Sequence, residues 1–507
     1  MPGAGDAGAR RNVASMDRDA RAARLAPVSG PDRLVRRDAA ILALGALLIR
    51  LPAFVADRHF HPDDGTYGMS AVLMRGGAAP FRTVFSSQGP LHLVLVYAGD
   101  LVTGRQMNSP RAVAVASGVV ATLGAAAIGA RLGKRRGSWI AGGLVATTGS
   151  MLWTSGPLTA DAITIALVAV AFVTALRYDD SPTTARAALV GALAGAGMLA
   201  KVAVAALGMA PAVVLITRRR NLKHLAASAL SGAGVITALV LPFGARQVWD
   251  QTIRYQLDTE REQSMLRNAR KVITTIWSRD LVLAAAAAVA LTWAAARWRE
   301  TGRVGRALVI WAGAMTGFLV VQPALWRNHL SHLVVPLTLV TARALGPRPW
   351  RRERDTSAWP RRAAWLAFAV VVAAQVRFSA GILVPGGYDD SESRAAVGAL
   401  ATVPGDARII SDEIGLVWRA GRRTPDDLAD MSIKQFQQAR VTHERLAAIA
   451  ARPEVCAVLV WSRRHLGSVA DLAATLDGLG YRVQQRFAGQ DGVRALWVKA
   501  SCPDPSG

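Results

Sequence analysis

Charge is scarce in this chain: 19% of its 507 residues are Asp, Glu, Lys or Arg, whereas 52% are hydrophobic and come in long blocks. That pattern excludes a soluble globular protein, because apolar blocks of such length belong in a bilayer. Cysteine is almost absent. Its two copies, Cys456 and Cys502, both lie near the C-terminal end, so a metal site elsewhere would have no thiolate to draw on. The sequence also has no Walker loop, no glycine-rich turn after a strand and no Gly-x-Ser-x-Gly elbow, which leaves nucleotide-driven transport and elbow-type hydrolysis without support. Residues 1–38 have neither an apolar core nor a small-residue cleavage site. They read as a disordered basic cytoplasmic tail, not as a signal peptide.

What is present in excess is arginine, and the formal net charge is +25. In a soluble protein this would point to nucleic acid. Here the basic residues stand in short clusters between apolar blocks, where they report membrane topology, and no nucleic-acid partner is expected. Taking each cluster as cytoplasmic gives spans over 39–56, 111–130, 138–155, 162–176, 187–200, 202–216, 225–243, 281–296, 308–325, 333–344 and 363–384. The expectation is an α-helical polytopic membrane protein of about 11 transmembrane helices, N-terminus inside and C-terminus outside, in the plasma membrane. The apolar run 90–102 is short for a span, and parity makes it interfacial or re-entrant. Residues 57–109 and 244–279 become large outer loops, and 39–384 forms one transmembrane domain.

From residue 385 onward the apolar blocks shrink to strand size. Strands are expected at 408–410 and 457–461, helices at 443–451 and 469–479, and a closing strand pair at 481–487 and 493–498. This is an extracytoplasmic α/β domain. An oxidising compartment would permit a Cys456–Cys502 disulfide, but spacing does not decide whether the two approach.

The polar groups that parity returns to the outer side are few. The first loop carries His59-Phe-His-Pro-Asp-Asp-Gly-Thr-Tyr67, with Asp63 and Asp64 adjacent, and Asp161 opens a later span. A carboxylate can accept a proton from a hydroxyl, and cations or hydrogen-bond donors can stabilise a departing phosphate. Lys201, Arg254, Arg327, His329, His332, Arg82 and Gln88 are the candidates for the second task. Some of the polar residues have a plainer reading. Asp63 and Asp161 could cap the helices that follow them, Arg50 could snorkel to the interface, and the arginines of 246–279 could pair with Asp250, Asp258, Glu260 and Glu262. His59, His61, Asp63 and Asp64 offer metal-ligand atoms, but their spacing is not specific, and no cofactor is expected beyond an optional divalent metal.

The order of these motifs resembles the GT-C superfamily of integral membrane glycosyltransferases, in the branch holding protein O-mannosyltransferases and the aminoarabinose transferase of lipid A. The resembling residues are Asp63-Asp-Gly-Thr-Tyr67, Gly77-Ala-Ala-Pro-Phe81 leading to Gln88-Gly-Pro-Leu91, Thr159-Ala-Asp161, Gly195-Ala-Gly-Met-Leu-Ala-Lys201 and Asn328-His-Leu-Ser-His-Leu-Val-Val-Pro336, over roughly residues 40–345. The resemblance implies inverting transfer of a sugar such as mannose or arabinose from a polyprenyl-phosphate donor to a cell-envelope glycan, lipid or protein, by a monomer or homodimer. Asp63 or Asp64 would be the base. Where the lipid A enzyme has a phosphate-contacting Lys this chain has Gln88, so the charge would come from Lys201 or Arg254. A lipid or solute transporter is the rival class, though its usual internal repeats are not visible.

Overall fold

The apolar runs fold as helices. The computed structural model describes residues 34–346 and 391–502, except 219, 300 and 489–492, together with the helical positions Ala373, Gln375, Arg377 and Ser379. Among the described residues five helices are long and apolar enough to cross a membrane: Arg36–Val55, Ser109–Thr147, Ala160–Asp180, Leu222–Phe243 and Val304–Val321. Met265–Arg279 and Leu281–Ala296 would make a sixth if joined, but they meet at 114°. Length and composition alone therefore support part of the expected count of about 11 among the described residues. Three further expected spans fall on short helices: Thr184–Ala200, Val202–Thr217 and Val334–Leu345 are only 12 to 17 residues long, while Ser109–Thr147 covers two expected spans by itself. Most of the expected span 363–384, the basic stretch 348–362 and residues 1–33 of the tail lie outside the described residues.

The longest run is a hairpin in disguise. Gly133 and Lys134 leave helical geometry within Ala112–Thr147, and the two arms then pack so closely that a Cβ on Gly129 would stand 2.3 Å from the Gly137 carbonyl oxygen. Backbones approach like this only where side chains are absent. The same device joins Thr184–Ala200 to Leu222–Val240, where Gly191 and Gly195 meet the backbone of Ser228 and Gly232. The outer face of Leu222–Val240 keeps Leu222, Leu230 and Ile236 exposed, as a lipid-facing helix should.

Residues 391–502 hold a four-stranded sheet in the order β1-β2-β4-β3, formed by β1 (Arg408–Ser411), β2 (Val455–Val460), β3 (Tyr481–Arg486) and β4 (Ala495–Lys499). β1 runs parallel to β2, and the other two pairings are antiparallel. Helices His443–Ala450 and Leu472–Gly478 flank it, and Cys456 and Cys502 form a disulfide with Cα atoms 5.4 Å apart.

This unit does not close its core alone. Met69, Leu73 and Val84 of the first long loop are buried in the same apolar cluster as Ile409, Trp418 and Leu459. The helix Pro62–Arg75 supplies two of them and is the middle layer of the molecule. One face, Gly65, Gly68, Met69 and Leu73, packs on the C-terminal unit, while Tyr67 and Ala71 pack on Leu93, Ala114 and Leu158 of the helical bundle. Spacings of three and four residues put each set on one side of a helix. The contact with the C-terminal unit is backbone to backbone: a Cβ on Gly65 would lie 2.4 Å from Gly415 Cα, and one on Gly68 would enter the Trp418 ring. Gly65→Ala is accordingly expected to push the two units apart, lowering the thermal midpoint of the purified protein and speeding tryptic release of the 391–502 region. Gly398→Ala, with open space around its Cβ position, should do neither.

Candidate functional site

Pro62 occupies the first position of the helix Pro62–Arg75 and His61, in extended geometry, is its cap residue without a side-chain cap bond. Neither aspartate is therefore the cap. Both sit in the first turn, where the helix dipole favours negative charge, and as neighbours they point about 100° apart. That angle separates their fates.

Asp64 is fully buried and fully partnered. Arg111 donates from Nε to Oδ1 at 3.1 Å and from Nη2 to Oδ2 at 2.6 Å, Leu158 N donates to Oδ1 at 2.8 Å, and Phe60 N donates to Oδ2 at 3.2 Å. Burial opposes its ionisation, but the Arg111 guanidinium outweighs this and holds the carboxyl well below the usual carboxylate range. Arg111 has its own remaining donors on the carbonyls of Ala53, Ala56 and Arg58. The pair locks the loop.

Asp63 is half-buried and turns the other way. Its hydrogen bond comes from Asn328 Nδ2 at 3.2 Å, and the same nitrogen donates to Asp161 Oδ2 at 2.9 Å. Burial pushes the Asp63 carboxyl up, reinforced by Asp161 and Asp64 and opposed by His61 and Lys201.

Asp161 is also no cap, since Thr159 fills that role with its side chain accepting from Ala162 N. Its Oδ1 instead receives Lys201 Nζ at 2.7 Å and His332 Nε2 at 2.7 Å. Lys201 reaches it from an extended residue between the helices Thr184–Ala200 and Val202–Thr217. His329 pairs through Nδ1 with Gln322 Oε1 at 2.8 Å. Burial pushes both His329 and His332 down, so both are neutral near pH 7 and His332 serves as a donor with its proton on Nε2.

Four of the sequence-derived residues thus form one hydrogen-bonded group, Asp63, Asp161, Lys201 and His332, with Asn328 as the bridge. The Gln88 turn adjoins it through the backbone, since Gly89 packs directly on Leu199, two residues before Lys201; the Gln88 amide itself donates to Ser87 Oγ at 3.4 Å. Arg82, Arg254 and Arg327 are exposed; Arg254 faces Asp258 at 3.5 Å one helical turn away, the plain ion-pair arrangement. His59 turns to Glu413 at 3.2 Å, and among the described residues no three His, Cys, Asp or Glu side chains converge as metal ligands. Arg111 and Asn328 carry no role in the sequence pattern, and nothing in the sequence marks a site residue in the C-terminal unit. The unit nevertheless brings Lys434 and Asp430 within electrostatic range of Asp63. An arginine at the start of an apolar run, as Arg111 is, was the one available signal.

The family model described as dolichyl-phosphate-mannose-protein mannosyltransferase matches residues 87–245. ArnT from Cupriavidus metallidurans bound to undecaprenyl phosphate superposes with a TM-score of 0.64 at 15% identity, over 93% of this chain and 100% of that one; its apo form gives 0.62 at 14%, over 90% and 97%. The Archaeoglobus fulgidus oligosaccharyltransferase tethered to an acceptor peptide gives 0.52 at 11%, over 92% and 74%. The chain has the GT-C fold of membrane glycosyltransferases. No curated protein matches it in sequence. Within that GT-C frame the matched segment includes Gln88, Asp161 and Lys201 but begins after the acidic pair.

Breaking a buried ion pair from one side strands a charge, at about 3–5 kcal/mol. Arg111→Met is therefore expected to lower thermal stability sharply. Asp63→Asn, which touches one hydrogen bond, should change stability by no more than about 1 kcal/mol; calorimetry of both variants in detergent checks the contrast.

Proposed function

We propose that the protein transfers a sugar from a polyprenyl-phosphate donor to a hydroxyl of a cell-envelope glycan, lipid or protein, with inversion. The observation that carries this reading is the division between two adjacent carboxylates, one neutralised in the interior and the other left half-open beside Lys201 and Asn328. In the step we envisage, the acceptor oxygen attacks the anomeric carbon while Asp63 takes its proton. The bond from that carbon to the phosphate oxygen breaks, and its electron pair leaves on the phosphate, which Lys201 stabilises with help from His329 and the Gln88 amide. Asp161 holds Lys201 and His332 in place through the bonds described above. Arg82, Arg254 and Arg327, being exposed, would meet lipid headgroup or acceptor at the mouth.

Support comes from two further directions. One structural neighbour is bound to undecaprenyl phosphate and another is tethered to an acceptor peptide, and the matching family is named for transfer of mannose from a dolichyl phosphate. A site fed by a lipid donor fits a multi-pass protein of the plasma membrane with its N-terminus in the cytoplasm and residues 391–502 outside. The transmembrane part would then end near residue 384, as its sequence suggests.

Purified protein given a radiolabelled polyprenyl-phosphate sugar and envelope extract should form labelled product, and Asp63→Asn should reduce the rate by about 10²-fold or more. Unchanged turnover in that variant would remove Asp63 from the mechanism. The pH profile makes a second test. A base must be ionised, so the rate should fall as the pH drops through a value above the ordinary carboxylate range, given the upward push of burial on Asp63. Lys201 lowers that value, so Lys201→Met should move the acidic limb to still higher pH as well as slowing transfer.

A further inference from the structure

The C-terminal unit reaches the membrane-proximal site through one short segment. Ser432 Oγ meets the Tyr255 hydroxyl at 3.1 Å, and Gln438 Nε2 donates to the Tyr255 carbonyl at 2.8 Å. Between these anchors stands Lys434, whose Nζ lies 5.8 Å from the centre of the Tyr255 ring and donates to Gln256 Oε1 at 2.9 Å. The amide of Gln256 is shared: its Nε2 points at the Ser87 carbonyl at 3.4 Å, and the Gln88 amide in turn donates to Ser87 Oγ at 3.4 Å. Lys434 is thus tied to the same turn as Gln88, and Gly89 of that turn presses on the Leu199 backbone beside Lys201.

Two ammonium groups from distant parts of the chain are therefore linked through one turn and lie within electrostatic range of each other, and their partners differ. Lys201 has a carboxylate at 2.7 Å. Lys434 makes no ion pair among the described residues; its hydrogen bond is to a neutral amide. Burial pushes the Lys434 ammonium down, and Lys201 pushes it further, while Glu262, Asp430 and Asp63 act in the other sense from greater range. The half-buried Lys434 ammonium spends one of its three donors on Gln256 and keeps the others for an anion. A phosphate group supplies that anion, with oxygens enough for two lysines.

We propose that Lys434 binds the phosphate of the lipid-linked donor together with Lys201, so that the C-terminal unit completes the donor site of the helical bundle. The inference rests on the transfer reading above. It makes the unit a participant in donor capture: a chain that lost the Ser432–Gln438 segment would bind lipid without holding its head group. Tyr255 and Gln256 are positioning residues for the ammonium.

The test uses the full-length protein in nanodiscs and two probes, undecaprenyl phosphate and undecaprenol, which differ only in the phosphate. Lys434→Met should weaken undecaprenyl phosphate about ten-fold or more, the usual scale for losing a charged hydrogen bond. Undecaprenol binding should be unchanged, which also shows that the variant is folded. Lys434→Arg keeps the charge and should stay within about three-fold of wild type. Equal affinity of Lys434→Met and wild type for undecaprenyl phosphate, with Lys201→Met still impaired, would overturn this inference and leave the transfer reading standing. Wild type that fails to distinguish the two probes would overturn both.

Discussion

A carboxylate and a guanidinium with no exposed surface, Asp64 and Arg111, hold the loop, the bundle and the C-terminal unit in one arrangement. Arg111 gathers the carbonyls of Ala53, Ala56 and Arg58, so the chain leaving the first span has to follow one path into the helix Pro62–Arg75. Asn108 accepts from Arg111 and, through the same oxygen, from Arg419 of the C-terminal unit at 2.8 Å. A buried pair of this kind adds little net stability over an apolar replacement, but it tolerates only one geometry. That intolerance is useful here, because it fixes the azimuth of the first helical turn and thereby where Asp63 points.

Two chemically identical side chains consequently do different things. Asp64, enclosed by four hydrogen bonds, is unavailable as a proton acceptor near neutral pH. Asp63 faces Asn328, and Asn328 also touches Asp161, so the carboxylates are linked by a neutral donor that limits their mutual repulsion. Lys201 then supplies positive charge that favours the ionised form of Asp63 against burial. The site is assembled from the first loop, the start of one span, the break between two short helices and the segment before another, which explains why no single stretch of sequence displays it.

Much of this was legible in the sequence, for identifiable reasons. The apolar blocks mark the helices, and the alternation of basic clusters identifies which polar residues return to one side, which is how Asp63, Asp161, Lys201 and His332 could be grouped. The strands around Ile409 and Val458 follow from short β-branched runs, and the β3–β4 hairpin from its spacing. What escaped did so on physical grounds. Arg111 resembles an ordinary arginine at a helix start, and nothing local reveals that its partner is Asp64. Lys434 sits in a polar segment whose packing on Tyr255 is wholly tertiary. Arg254 reads as an outer-loop cation, yet Asp258 one turn on offers a local partner, a competition that periodicity cannot decide. Length does not decide the span count, because apolar runs of 12 to 17 residues look alike whether they cross a bilayer or only part of it.

The central claim is that the acidic pair is divided into a structural and a reacting member. It is met most directly by replacing the buried ion pair as a unit, Asp64→Asn with Arg111→Gln, and comparing sugar transfer from a polyprenyl-phosphate donor with that of Asp63→Asn, each in protein shown to be folded. The account predicts measurable transfer when the neutral hydrogen-bonded pair stands in for the charged one, and none above background without the Asp63 carboxylate. Transfer that survives Asp63→Asn and is abolished in the folded double variant would contradict it, and would make Asp64 the reacting group.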